Sequence, residues 1–230
     1  MSLWQDTLTK LNEQAANHDA VLVGFSGGKD SLICLDLCRR SFKKVVCFYM
    51  YVVPGLDCIE QQMEAARKRW NVEIIYVPHF LLFRFLKGGI FCDESLWKDD
   101  HLQDVVLKDI YSWVKQMTGI RLICTGAKNS DSLWRRRHFH AVRNWDGMLY
   151  PLKEWNKYHV LEYLKVNNIP LPDSEGTNAA GIDLSTPSLL WLHDKHPEDF
   201  KKLLKWFPFA DAVVARRTFY GIGEKKENEG

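Results

Sequence analysis

The chain has 230 residues, 46% of them hydrophobic and 26% charged, with a formal net charge of +2. That composition can bury a core of ordinary size, and it excludes a disordered or fibrous class. The charge is too mild to argue for a nucleic-acid partner by itself, so any anion binding has to come from local arrangement.

Leu3, Leu8, Leu11 and Ala15 recur at helical spacing, so the chain opens on an amphipathic helix. Val21-Leu22-Val23-Gly24-Phe25 reads as a buried strand, Ser26-Gly27-Gly28 as a turn, and residues 31–40 as a helix that Ser31 is placed to cap. Residues 45–50 read as a second strand, Pro54-Gly55 as a turn, 59–70 as a helix and 72–77 as a third strand. Residues 80–100 carry Gly88-Gly89 and many aromatics and read as a loop or insertion. A helix over 102–117 and a fourth strand over 121–125 follow. Asn156 is a suitable N-cap for a helix over 157–166, which Asn167-Asn168-Ile169-Pro170 stops. The expected division is a nucleotide-binding domain over 1–170 and a helical extension with a frayed tail over 171–230, packed on it. Near-continuous apolar strands alternating with helices mark an α/β chain with a parallel sheet covered on both faces.

The six cysteines are Cys34, Cys38, Cys47, Cys58, Cys92 and Cys124, with no C-x-x-C pair. The spacing indicates reduced thiols in a reducing compartment, not a disulfide framework. No uninterrupted apolar stretch resembles a signal peptide or a membrane span, so the expectation is a cytoplasmic chain with no membrane partner. The spacing does not resemble an iron–sulfur ligand run, and no such cluster is expected. Cys92, beside Asp93 and Glu94, looks exposed in its loop, where the two acids would blunt it.

The chemistry concentrates on Ser26-Gly27-Gly28-Lys29-Asp30-Ser31. Two glycines let the backbone approach a ligand without a Cβ in the way. The turn ends where a helix begins, and that end offers unpaired N–H groups and positive dipole, a natural seat for phosphate. Lys29 adds a point charge, and the hydroxyls of Ser26 and Ser31 add donors. A Walker A loop needs four residues between its glycines and Ser or Thr after its Lys; here Asp30 follows Lys29. Trp134-Arg135-Arg136-Arg137-His138, with His140 and Arg143, is the strongest positive patch, readable as a phosphate or acidic-substrate clamp or as a solvated helix face. Arg216-Arg217 and His193-Asp194 with His196 read more simply as surface groups.

The hexapeptide resembles the PP-loop of the adenine nucleotide alpha hydrolase-like superfamily. Tyr150-Pro151-Leu152-Lys153-Glu154-Trp155, then Val160-Leu161-Glu162-Tyr163-Leu164 and Ile169-Pro170, resembles the reductase and sulfurylase branch, that of phosphoadenosine phosphosulfate (PAPS) reductase and the ATP sulfurylase small subunit. Thr125-Gly126-Ala127-Lys128 is a looser match to that branch's strand end. The resemblance implies a Rossmann-like parallel five-stranded sheet, ATP or PAPS as the nucleotide, and Mg²⁺ on the phosphates with Asp30 helping to place it. It implies Lys29 and Ser26 as catalytic groups, and Ser26, Gly27, Gly28, Lys29, Asp30 and Ser31 as phosphate-binding. Lys128, with Arg135 and Arg136 of the positive patch, is read as a further phosphate contact from charge and from its place after the fourth strand. In its ATP-using members the α–β bond breaks, AMP is transferred and pyrophosphate leaves. Reductases of the branch carry a nucleophilic cysteine in a Glu-Cys-Gly-x-His type tail, whereas the last cysteine here is Cys124. ATP adenylation chemistry is therefore the leading expectation, with PAPS reduction and a non-catalytic nucleotide sensor as alternatives. The partners left open are an acidic or nucleic-acid substrate at Arg135–Arg137 and a second copy of the chain.

Overall fold

A computed structural model describes residues 3–93, 95, 104–141, 147–171 and 183–221. The elements run α1 (Leu3–Ala15), β1 (Ala20–Gly24), α2 (Lys29–Ser41), β2 (Lys44–Tyr51), α3 (Asp57–Trp70), β3 (Glu73–Pro78), α4 (Phe80–Lys87), α5 (Leu107–Thr118), β4 (Leu122–Cys124), α6 (Leu133–Ala141), β5 (Met148–Leu149) and α7 (Lys157–Val166). Helices α8 (Thr186–Lys195), α9 (Pro197–Leu204) and α10 (Asp211–Tyr220) close the chain. The five strands form one sheet in the order β3-β2-β1-β4-β5, every pair parallel. Such pairing needs crossovers, and the helices between strands supply them.

Successive strand side chains point to opposite faces, so one apolar run feeds two cores. Val21 and Val23 of β1 join Cys47, Tyr49, Ile74 and Cys124 under α1, α2, α3 and α7. Leu22 joins Val46, Phe48 and Ile123 under Ile110 and Val114 of α5. The α/β class with helices on both faces therefore stands. Leu189, Leu192 and Leu203 of the C-terminal helices, with Phe207 between α9 and α10, are fully buried in the first of these cores.

Several boundaries differ from expectation for local reasons. Helix α2 begins at Lys29, with Gly28 as the extended residue before it. Ser31 is thus inside the first turn, where its hydroxyl donates to Gly28 O at 2.8 Å and does not cap the helix. The expected loop over 80–100 contains α4, because the His79 ring accepts from Leu81 N at 3.0 Å and caps an apolar turn that Gly88 ends. Helix α5 starts at Leu107, where the Asp109 carboxylate accepts from Val106 N at 2.8 Å. Residues 102–103, 172–182 and 222–230, parts of the expected helix start, turn-rich segment and tail, lie outside the described residues. No helix among the described residues is long and apolar enough to cross a membrane.

Candidate nucleotide site

The strand order reverses at β1, with β2 and β3 on one side and β4 and β5 on the other. In open parallel sheets, ligands bind outside the C-terminal ends of the strands at such a switch point. The segments leaving β1 and β4 there are 25–28 and 125–132, and they carry the residues singled out from the sequence.

Phe25 extends the strand pairing by one residue, its N–H donating to Phe48 O at 2.9 Å. The chain then turns at Gly27, whose φ of +78° is a conformation that L side chains rarely adopt. A second constraint acts at the same residue: a Cβ there would lie 2.5 Å from Gln62 Oε1 of α3. Ser26 is exposed, and its Oγ lies 3.4 Å from both Gly28 N and Ser31 Oγ. The first-turn N–H groups of the 13-residue α2 have no intrahelical carbonyl to donate to and point into this turn.

Asp30, in that first turn, is joined to β4's loop. Lys128 is 5% exposed, and its ammonium lies 2.5 Å from Asp30 Oδ2 and 3.2 Å from Asp131 Oδ1. Asp131 Oδ2 in turn accepts from Arg135 of α6 at 2.7 Å and from Lys128 N at 2.9 Å. The two loops touch closely at Gly126, where a Cβ would meet Asp30 Cβ at 2.9 Å and its carbonyl carbon at 3.1 Å. Asp30 Oδ1 is buried and has no hydrogen-bond partner among the described residues. The expected residues thus divide. Ser26 to Ser31, Lys128 and Arg135 converge on one edge, with Lys128 and Arg135 committed to carboxylates. Arg136 and Arg137 lie exposed on α6. Arg143 and the side chains of His138 and His140 are outside the described residues.

The Tyr150–Trp155 motif supports the second loop. Asn129 N donates to Lys153 O at 2.9 Å and Ser130 Oγ to Trp155 O at 3.1 Å. Leu152 and Trp155 are buried, and the Trp155 indole donates to Thr7 Oγ1 of α1 at 3.1 Å. Tyr163, from the companion motif, donates to Asp36 Oδ2 of α2 at 2.7 Å, so α7 is pinned to the helix that begins at the loop. Tyr163 titrates far above its ordinary value, through burial first and then that bond.

Gln62, Asp131 and Gly126 are the contributors that sequence reasoning undervalued. Asp131 carries a readable signal, the Lys-x-x-Asp turn at 128–131, whereas nothing local separates Gln62 from any other polar position on α3. A cavity of about 790 Å³ lies elsewhere, between α1 and residues 147–155. All six cysteines are buried, Cys92 included, which corrects its exposed reading. Burial, then Asp93, raises the Cys92 thiol, and burial pushes Cys58 up to about 12.

A profile of the phosphoadenosine phosphosulfate reductase domain matches residues 20–173. No curated protein matches the sequence. Among solved structures, the U34-tRNA thiolase NcsA from Methanococcus maripaludis, solved with its [4Fe-4S] cluster, is similar at 14% identity and a TM-score of 0.51, over 92% of this chain and 80% of that one. A PAPS reductase from Candida auris in a phosphate complex is 16% identical with a TM-score of 0.47, over 72% of this chain and 82% of that one. At these identities the likeness is one of fold. The expectation of no iron–sulfur cluster is nonetheless overturned. It rests on linear spacing, and a thiolase of this fold holds such a cluster. Here Cys34, Cys38 and Cys124 are all fully buried in the same core.

Proposed function

Because the chain belongs to the phosphoadenosine phosphosulfate reductase domain family, with its PP-loop at the switch point of the sheet, we propose that it binds ATP there and adenylates a substrate. The observation that carries this reading is the turn at Gly27, φ +78°, which opens directly onto the N-terminus of α2. Backbone N–H groups there, with Lys29 and the Ser26 hydroxyl, would hold the phosphates. An acceptor oxygen, nitrogen or sulfur attacks the α-phosphorus, the bond to the β-phosphate oxygen breaks, and pyrophosphate leaves with its charge stabilised by those donors. Mg²⁺ neutralises charge on the phosphates when bound. Asp30 Oδ1, buried and without a hydrogen-bond partner among the described residues, is the atom suited to reach it.

In this reading Lys128 acts through Asp30. A carboxylate in the first turn of α2 would otherwise repel phosphate, and the ammonium at 2.5 Å offsets it. Arg135, Arg136 and Arg137, exposed on α6 beside this edge, are the proposed contact for an acidic or nucleic-acid acceptor.

The competing reading is PAPS reduction, which needs an accessible thiolate as nucleophile. Six buried thiols disfavour it. Incubation with ATP and Mg²⁺, and separately with PAPS and reduced thioredoxin, decides between them. AMP and pyrophosphate are the expected products, with water replacing the acceptor. Sulfite and adenosine bisphosphate would replace adenylation with reduction, and ATP binding without any product would leave a sensor.

A further inference from the structure

The start of α3 meets the junction of α8 and α9 in a group of side chains that the nucleotide site does not use. Asp199 of α9 is 2% exposed, and its carboxylate accepts from Asp57 N at 2.7 Å and from Cys58 N at 2.8 Å. One helix thereby caps another. Cys58, 5% exposed, stands in the first turn of α3. His196 is the residue between α8 and α9, with φ −136° and ψ 64°, neither helical nor extended. Its ring lies against Trp191, with centroids 4.6 Å apart. Cys58 Sγ, a His196 ring nitrogen and an Asp199 oxygen all lie within 4.8 Å of one another.

We propose that Cys58, His196 and Asp199 bind a divalent cation of borderline softness, Zn²⁺ above all, which fastens the C-terminal helices to the start of α3. Sulfur, imidazole nitrogen and carboxylate oxygen are the three donor types that zinc takes in proteins. Donors on one tetrahedral zinc stand about 3.3–3.8 Å apart, given bonds of about 2.0–2.3 Å, so the present separation closes with small side-chain rotations. Asp199 keeps capacity for the ion. Its Oδ1 serves Asp57 N and the Lys202 ammonium at 3.2 Å, while Oδ2 serves Cys58 N and retains a lone pair. Among the described residues, the His196 ring makes no hydrogen bond that would have to be broken. Charge also matches, since one thiolate and one carboxylate balance a divalent ion. Lys202 does not upset that balance, because its ammonium is held by Asp57 at 2.6 Å and by Gly55 O at 2.9 Å. Three protein ligands leave a fourth position for water.

The site is separate from the loop, but α3 carries it one turn before Gln62, the residue against Gly27. The test is a Co²⁺ titration of the whole chain followed by absorption. A thiolate-to-cobalt charge-transfer band and tetrahedral d–d bands should appear, disappear on addition of Zn²⁺, and survive Cys92→Ala. Cys58→Ser should abolish the charge-transfer band. His196→Gln, a change at a half-buried position, should weaken Zn²⁺ binding by roughly tenfold or more and remove the rise in melting temperature that Zn²⁺ produces in the parent chain. Asp199 is unsuitable for substitution, because it also caps α3. The proposal is overturned if no cobalt band forms, or if the band and the Zn²⁺ affinity persist in His196→Gln. The second result would place the metal on other thiols, and it decides the matter even if Cys58→Ser fails to fold.

Discussion

Lys128 reaches back from the loop after β4 to place its ammonium 2.5 Å from Asp30 Oδ2, in the first turn of the helix that follows the glycine loop. Two segments nearly a hundred residues apart in the chain are thus tied by charge at the one edge where the sheet can accept a ligand. The lysine side chain is 7% exposed and the aspartate 27%. Removing one partner of a buried pair costs about 3–5 kcal/mol; the partial exposure of Asp30 places Lys128→Met at about 3 kcal/mol. Asp30→Asn combined with Lys128→Met should recover part of that loss. Urea unfolding of the two singles and the double measures the coupling, and a coupling near zero would mean that the pair contributes nothing. ATP affinity should follow the same order, lowest in Lys128→Met, where an uncompensated carboxylate faces the phosphates.

Gly27→Ala meets two separate penalties. The positive φ costs a non-glycine residue about 1–2 kcal/mol, and the new Cβ sits 2.5 Å from Gln62 Oε1. Adding Gln62→Ala removes the collision and leaves the backbone strain. The double variant should therefore be more stable than Gly27→Ala and less stable than the parent, as read by thermal unfolding. Equal stability of single and double variants would show that the side chain of Gln62 yields freely.

Lys29→Ala should weaken ATP binding about ten- to a hundredfold, since a charge-assisted contact is worth roughly 1.5–3 kcal/mol. Adenosine binding should barely change. Calorimetric titration of both ligands makes the comparison, and equal losses would assign Lys29 to the fold.

Arg217 of α10 grips Asp194 of α8 with bonds of 2.5 and 2.7 Å, and His193 Nδ1 lies 2.7 Å from the same carboxylate. The Arg217 bonds, above all, hold Asp194 at about 2. The folded value is below the ordinary one near 3.8, so folding favours the ionised form. The resulting stabilisation is present above pH ~4 and is lost as pH falls through 2. With Asp194 43% exposed, salt should weaken it further. Arg217→Ala should return the Asp194 titration, followed by carboxyl NMR, toward its ordinary value and flatten acid unfolding between those limits.

Six buried thiols should react slowly with a thiol reagent in the folded chain and at once in denaturant. Cys92, raised by burial and Asp93, should be no exception, and Cys92→Ala should leave nucleotide turnover unchanged. Loss of turnover in a folded Cys92→Ala that still binds nucleotide would favour a thiol mechanism.

Much of the architecture is legible in short stretches of the chain. Val21-Leu22-Val23 reads as a strand because a run buried on both faces must be apolar at every position. Asn156 reads as a cap because its side chain satisfies a helical N–H, and it does so from His159 N at 3.1 Å. The glycine loop stands out for the same local reason: backbone that must turn tightly and meet a ligand writes itself in residue type at fixed offsets. β5 leaves no such mark, since two residues cannot show a period, and its pairing comes from Ile123 N and Thr125 N donating to Gly147 O and Leu149 O. Helix α4 is hidden in an apolar stretch whose cap is a histidine.

Residue order alone encodes whatever one segment can express without a neighbour: apolar periods, caps, the phosphate-type loop and the succession of its motifs. Which distant groups share a space is settled by packing in three dimensions. Lys128 meets Asp30, Gln62 faces Gly27, Cys34 and Cys38 share a core with Cys124, and Cys58 comes beside His196 and Asp199. The physical reason is that each of these contacts depends on how helices seat on a parallel sheet. A charge or a thiol carries no local preference for the remote partner that packing brings to it.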